Sequence, residues 1–300
     1  MNGVFVGIDA GASSTKWAIY NEEGSLLKRG RSGPVDGHIY REESKQLLNS
    51  LLKELKSEIS GSVIGVCAGI TGASEVDSKN KSIHGLFEAA FPESQISIYL
   101  DVSLGYETNF QNEQGIYLYA GTGSIVISRN QQGDLHAVGG WGYLLGDEGA
   151  GYWIGREAIR HVLFEIEQEC EESRIREIFN GIILDIDREE LLKYAFSHSR
   201  EDIAHLAKPL ASLADLGDQK AIEILKQSAR HLADLVFRAE KISHQTPAKV
   251  VFGGGIAQVG KVLISEIEKV LKRKIYISSE DLSHDAARLA ITKFHASQTG

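Results

Sequence analysis

Cysteine is almost missing from this chain: 300 residues carry two, Cys67 and Cys170. They lie far apart and outside any paired-ligand spacing. That excludes a disulfide framework and a structural zinc site, and it fits a reduced cytoplasm. Proline is nearly as scarce, with four residues, and no Pro- or Ser-rich stretch marks a linker. No apolar run approaches the ~20 residues of a membrane span. The opening residues carry no basic segment ahead of an apolar core, so no signal peptide is expected. These absences describe a cytoplasmic protein without a membrane partner. Positive charge is also in deficit, with 32 Lys and Arg against 41 Asp and Glu, a formal net charge of −9. Nucleic acid is not expected as a partner, since phosphate backbones need a basic face.

Glycine is plentiful, at 31 residues, and it clusters. The densest stretch, Gly139 to Gly155, holds seven glycines, the adjacent acids Asp147 and Glu148, and Trp141 and Trp153. Ile154, Ala158, Ile159, Val162, Leu163 and Ile166 follow at helical spacing. This is a glycine-rich loop feeding a helix N-terminus. Free N–H groups and the positive end of the helix dipole there favour anions or polar ligands, and the two acids can accept hydrogen bonds from ligand hydroxyls. The competing reading is a tight turn whose acids cap the helix. The number of glycines favours a ligand site.

Along the chain, Val4–Ile8 reads as a buried strand that ends in Asp9-Ala10-Gly11-Ala12-Ser13-Ser14-Thr15-Lys16. Strands over Trp17–Tyr20 and Ser25–Gly30 complete a meander. Gly11 and Ser13 could offer N–H and hydroxyl groups to a phosphate, and Asp9 could hold a magnesium ion through water; a plain hairpin turn is the alternative. Helices are expected over Glu42–Ile59 and Ser78–Phe91, and strands over Val63–Ala68 and Ile96–Leu100. Asp101, at the C-terminal end of that last strand, stands where α/β sheets place catalytic acids. It would serve equally as an N-cap for 102–110. The opening pattern then repeats: strand Gly115–Ala120, turn Gly121-Thr122-Gly123-Ser124, strand Ile125–Arg129, turn, strand Asp134–Val138. Two such units suggest two like domains with a boundary near 110–115. A mostly helical region runs to about Ser243, with its longest helix over Asp218–Ile242. Strand Lys249–Phe252, the triplet Gly253-Gly254-Gly255, helix Ala257–Leu271, strand Lys274–Ile277 and helix Ser283–His295 finish the chain.

Two apparent motifs fail on their chemistry. Gly255 to Val262 nearly matches a P-loop, but Val262 has no hydroxyl for magnesium, so Lys261 reads as a surface helix residue. His198 and His205 share a helical region without an acidic metal constellation.

Taken in order, Gly7-Ile8-Asp9-Ala10-Gly11 with Ser13 and Thr15, Asp101, Gly121 to Ser124, Gly139 to Gly142, Gly146 to Gly149 and Gly253 to Gly255 resemble the BadF/BadG/BcrA/BcrD-type ATPases of the actin, hexokinase and Hsp70 superfamily. Within that family the chain looks most like the N-acetylglucosamine kinases and related hexokinases. The resemblance runs essentially end to end. It implies an α/β fold of two ribonuclease-H-like domains with a central cleft, over 1–112 and 113–300, with the last helix (about 283–296) able to pack back on the first. It implies that Gly11, Ser13 and Thr15, with Gly121, Thr122 and Gly123, clasp the ATP phosphates, and that Gly254 and Gly255 line the adenosine side. Asp9 would organise Mg2+, and Asp101 would be the base for the attacking sugar hydroxyl. Gly140, Trp141 and Asp147 would hold the sugar, and the helix dipole would keep Asp147 ionised. A homodimer stands as a possible assembly.

The chain departs from the family at several points. The family's sugar loop often carries Asn before His; here Asp36 precedes Gly37 and His38. Asp36 and His38 are taken as sugar ligands, and the acid could favour an amino sugar. The turn near Ala211 lacks a glycine, and Ala287 stands where relatives usually have one. A second function within the family, an ATP-driven activator of a dehydratase or reductase, would need cysteines for an iron–sulfur cluster. Cys67 in a buried strand and Cys170 in a charged helix do not fit that role.

Overall fold

The computed structural model describes residues 3–11, 13–73, 77–111, 113–169 and 173–299; Cys170 lies outside them. The chain forms two compact units, residues 1–112 with 279–300 and residues 113–278.

In the first unit, strands β1 (Gly3–Ala10), β2 (Thr15–Asn21), β3 (Leu26–Ser32), β4 (Ser62–Ile70) and β5 (Gln95–Leu100) form one sheet in the order β3-β2-β1-β4-β5. β1, β2 and β3 are an antiparallel meander, while β4 and β5 run parallel to β1. β1 reaches past the apolar run and takes in Asp9, which pairs in register with Lys16. The turn therefore shrinks to 11–14.

Strand alternation decides what meets each face of β1. Val4, Val6 and Ile8 enter a core with Leu48, Leu51, Leu52 and Leu55 of helix α1 (Glu42–Glu58) and with Ile83 and Phe87 of α2 (Asp77–Ala90). Phe5 enters a second core with Cys67, Leu104 of α3 (Asp101–Phe110), and Ala286, Leu289 and Ala290 of the last helix, α10 (Ser283–Thr299). Gly7 and Asp9 share the parity of Phe5. At Gly7 the backbone of α10 comes so close that a Cβ would stand 1.9 Å from the Ser283 carbonyl oxygen. Only glycine admits that crossing.

The second unit repeats the plan. β6 (Ile116–Ala120), β7 (Ser124–Arg129), β8 (Leu135–Gly139), β9 (Val250–Gly253) and β10 (Tyr276–Ile277) pair in the order β10-β9-β6-β7-β8. Helices α4 (Gly151–Gln168), α5 (Arg188–Ser197), α6 (Arg200–His205), α7 (Ala207–Asp215), α8 (Gln219–Ser243) and α9 (Lys261–Leu271) accompany this sheet. Three of these starts are written in side chains: Asp187 accepts from Glu190 N at α5, Ser199 and Asp202 form a capping box at α6, and Asp218 accepts from Ala221 N at α8. The helix expected over 257–271 is shorter. A 3-10 turn, Gly255–Gln258, comes first, and α9 begins only after Gly260. Lys261 is exposed at the start of α9. Among the described residues no helix is long and apolar enough to cross a membrane.

Candidate active site

The first unit gathers its predicted residues around the C-terminal ends of β1, β4 and β5. Gly11 N–H donates to the Ser14 carbonyl at 3.1 Å, so it closes the turn and does not point to a ligand. The Ser13 side is exposed, and Arg31 Nη2 donates to Ser14 Oγ at 2.9 Å. Thr15 is fully buried, with an unpartnered hydroxyl.

Asp9 is partly buried. Burial pushes its carboxyl up to about 6, against the Leu282 N–H and the charge of Lys16, with Asp281 and Asp101 adding to the rise. Asp101 is the first residue of α3, one position past the cap, which is Leu100. The N-cap alternative therefore fails. Asp101 Oδ1 accepts Val102 N–H at 2.9 Å. Burial raises its carboxyl, while the Val102 N–H and the Thr71 hydroxyl work against the rise.

Thr71 ties these pieces together. Its N–H donates to the Ala10 carbonyl at 2.9 Å, and its own carbonyl accepts Gly37 N–H at 2.8 Å. Through Thr71 the loop of Asp36 and His38 joins the ends of β1 and β5. The His38 ring lies where a side chain at Gly72 would stand, a Cβ there being 2.4 Å from it, and Gly72 has φ +69°. Asp36 is engaged by its own loop and by the start of α1. Oδ1 accepts His38 N–H at 2.8 Å and sits 3.1 Å from His38 Nδ1, and Oδ2 accepts the Ser44 hydroxyl at 3.1 Å. Burial works to raise the Asp36 carboxyl, but these bonds outweigh it and hold the group below its ordinary value.

In the second unit the turn 121–124 and the loop 139–155 form one stitched piece. Gly121 N–H donates to Gly123 O, Gly140 N–H to Ser124 O, and the Ser124 hydroxyl to Glu148 O. Gly151 and Tyr152 N–H, at the start of α4, donate to Gly121 O and Thr122 O at 2.8 and 3.1 Å. These two N–H groups were expected to face a ligand; the turn takes them instead. Ser228 of α8 anchors the loop through Gly149 O at 2.6 Å. Gly254 (φ +89°) lies against β6, where a Cβ would be 2.4 Å from Ala120 O, next to Gly121, and Gly255 is exposed.

Asp147 adopts φ +64°, a conformation uncommon for a residue with a side chain. It does not cap α4, whose cap position is Ala150 without a side-chain bond. Its Oδ1 accepts Ser124 N–H at 3.3 Å. Burial raises its carboxyl, opposed by the Ser124 N–H and the charge of Arg200. The lowering expected from the helix dipole is therefore outweighed by desolvation. Trp141 is 59% exposed, with the Arg238 guanidinium 5.0 Å from its ring centroid. Arg200 stands over Tyr143 at 5.2 Å.

Sequence reasoning missed Thr71, Lys16, Asp281 and Arg200. Thr71 stood in the recognised Gly69-Ile70-Thr71-Gly72 turn and carried a signal. Asp281 and Arg200 carried none, because only folding brings them to Asp9 and Asp147. Cys67 is fully buried and its thiol is pushed up to about 12 by burial, which leaves no exposed cluster ligand at that position. Among the described residues no three His, Cys, Asp or Glu side chains form a ready-made metal centre.

Two five-stranded sheets of the same order, each opening with a strand–turn–strand meander and a glycine–hydroxyl turn, define an actin-like ATPase fold. The chain belongs to the BadF/BadG/BcrA/BcrD ATPase family, whose profile matches residues 6–287. It is 29% identical over 302 residues to the N-acetylmuramic acid/N-acetylglucosamine kinase of Clostridium acetobutylicum, covering 95% of this chain and 97% of that protein. It is 26% identical over 311 residues to the N-acetyl-D-glucosamine kinase of Dictyostelium discoideum, covering 96% and 98%. The fold is also that of a ROK family glucokinase from Streptomyces griseus solved with glucose and AMPPNP, at TM-score 0.59, 14% identity, and coverage of 97% and 100%.

Proposed function

We propose that the chain is an ATP-dependent sugar kinase that transfers the γ-phosphoryl group of Mg-ATP to a hydroxyl of N-acetylglucosamine, glucosamine or a closely related hexose. The sugar oxygen attacks γ-phosphorus, the bond from γ-phosphorus to the bridging oxygen breaks, ADP leaves, and the hydroxyl proton passes to Asp101. Such transfer depends mainly on positioning and charge neutralisation.

The observation that carries this reading is Asp101. One of its oxygens is fixed by Val102 N–H, and burial has raised its proton affinity in the same unit as Asp9. A carboxylate so placed can take a proton near neutral pH more readily than an exposed one. Gly11, Ser13 and Thr15, with Gly121, Thr122 and Gly123, would surround the phosphates, and Gly254 and Gly255 the adenosine. Asp147, Gly140 and Trp141 of the second unit, and the loop of Asp36 and His38 in the first, would address the sugar, with Asp36 holding the loop and not choosing among sugars.

Asp9 fits magnesium. It is a partly buried carboxylate, and among the described residues no three ligating side chains converge with it, which suits an ion that keeps its waters and arrives on nucleotide phosphates. When bound, the ion would screen the charge of the β- and γ-phosphates.

The test is a phosphorylation screen over hexoses, amino sugars and N-acetyl sugars with magnesium ATP. Sugar-dependent ADP release, greatest for an amino or N-acetyl sugar, is expected. ATP hydrolysis that no sugar stimulates would remove the kinase reading.

A further inference from the structure

The end of the chain returns to the first strand at its most chemically loaded point. Leu282 N–H donates to Asp9 Oδ2 at 3.3 Å, and Lys16 Nζ donates to the Glu280 carbonyl. Two neighbouring backbone groups of one short segment thus hold the two oppositely charged side chains that pair across β1 and β2. The segment is itself fixed. Asp281 Oδ1 accepts both Ser283 N–H, at 3.0 Å, and the Ser283 hydroxyl, at 2.6 Å. Ser283 is fully buried, its carbonyl lies against Gly7, and the next residue is pinned by a 2.8 Å bond between His284 Nδ1 and the Tyr20 hydroxyl on β2.

We infer that residues 280–283 form a positioning hook in which Asp281 and Ser283 aim Leu282 N–H at Asp9 and the Glu280 carbonyl at Lys16. The inference rests on the kinase reading above. The Leu282 N–H occupies one oxygen of Asp9 and leaves the other oriented for the magnesium–nucleotide. The Glu280 carbonyl restrains the Lys16 ammonium beside it. Asp281 acts through hydrogen bonds and touches neither ion nor nucleotide. If the hook is lost, Asp9 gains rotamer freedom, and metal-dependent binding must restrict it again.

The experiment is calorimetric titration of the full chain with AMPPNP at a series of magnesium concentrations, with sugar binding measured separately without nucleotide. Asp281→Ala should raise the apparent magnesium constant about three- to tenfold, the scale of losing the one Leu282 N–H bond to Asp9, and leave sugar affinity within twofold. Ser283→Ala, which removes only the hydroxyl bond, should raise it less. Asp281→Asn keeps the accepting oxygen and should stay within about twofold of wild type. An unchanged magnesium constant in Asp281→Ala overturns the hook. So does an equal loss of sugar affinity, which marks general damage, or an Asp281→Asn variant as impaired as Asp281→Ala, which marks the charge and not the hydrogen bonds as the active feature. Should Asp281→Ala not fold, Ser283→Ala and Asp281→Asn decide by the same criteria. If wild type shows no magnesium-dependent nucleotide binding, the kinase reading itself fails, a result distinct from all of these.

Discussion

The carboxylate of Asp147 fills the space that a side chain at Gly123 would need: a Cβ there would stand 2.5 Å from Asp147 Oδ2 and 2.8 Å from its Cγ. Besides the bonds that stitch them together, the turn after β6 and the glycine-rich loop therefore fit at this position only because the turn lacks a side chain where the acid sits. Gly123→Ala should leave the fold intact, since the obstructing atoms are the end of one side chain, but it should displace the carboxylate. Charge-assisted hydrogen bonds to a sugar hydroxyl contribute about 1.5–3 kcal/mol each. Asp147→Ala should thus weaken sugar binding by roughly ten- to several-hundred-fold, and Gly123→Ala should weaken it in the same direction. In an Asp147→Ala background the second change should cost almost nothing more, because its target is gone. Calorimetry with sugar alone checks the cycle. Simple additivity would separate the two residues.

Asp101→Asn should keep the fold and nucleotide binding while turnover falls by about 10²-fold or more, the usual scale for losing a general base. The amide can still accept the Val102 N–H, so the start of α3 is preserved. Steady-state kinetics read the outcome. Turnover within a few-fold of wild type would mean that the proton leaves by another route.

Much of this arrangement could be read in the residues before folding, and the exceptions share a cause. The two strand–turn–strand units, the acid after β5 and the glycine triplet after β9 are local patterns, and local spacing reports them. The start of α9 was misplaced because apolar periodicity continues through 256–259, while the break lies in the backbone at Gly260. At Asp147 the helix end could be read in the sequence, but the desolvation that works against it could not, because desolvation depends on packing. Nothing in sequence reveals that Ser44, on another element, takes one oxygen of Asp36. Asp281 is 272 residues from Asp9, a separation no periodicity spans.

Asp9 makes the pH dependence of stability testable. Its carboxyl in the folded chain sits at about 6, above the ordinary 3.8, so the folded state binds its proton more tightly than the unfolded state does. Stability therefore falls as pH rises through the window from about 4 to 6, and the cost of the buried charge is full above it. Asp9→Asn should be more stable than wild type at pH 8, by about 1–3 kcal/mol, and the difference should shrink at pH 5. Denaturant unfolding at the two pH values measures this. A variant equally stable to wild type at both would show that the carboxylate is well solvated. Magnesium-dependent nucleotide binding should be lost in the same variant, so stability and function would move in opposite directions at one residue.

Asp36 offers the test of whether an acid in the sugar loop sets sugar preference. Both of its oxygens are engaged, one by the His38 N–H and ring and one by the Ser44 hydroxyl at the start of α1. Its carboxyl is held below the ordinary value, so its stabilising contribution is present at neutral pH and is lost as pH falls through that lowered value. Asp36→Asn keeps an oxygen for His38 but places an amide where the second oxygen met Ser44, and charge assistance disappears. A loss of about 1 kcal/mol of stability follows at neutral pH, the worth of one such bond, and the loss should diminish in strong acid. Oxygens already bound, one to His38 and the other to Ser44, have little left for an ammonium on the sugar. The ratio of kcat/KM for glucosamine to that for N-acetylglucosamine should therefore change less than threefold in Asp36→Asn, while both values fall together as the loop loosens. Melting curves at two pH values and kinetics with the two sugars decide it. A selective tenfold loss with glucosamine would place the carboxylate against the sugar and make Asp36 a determinant of specificity.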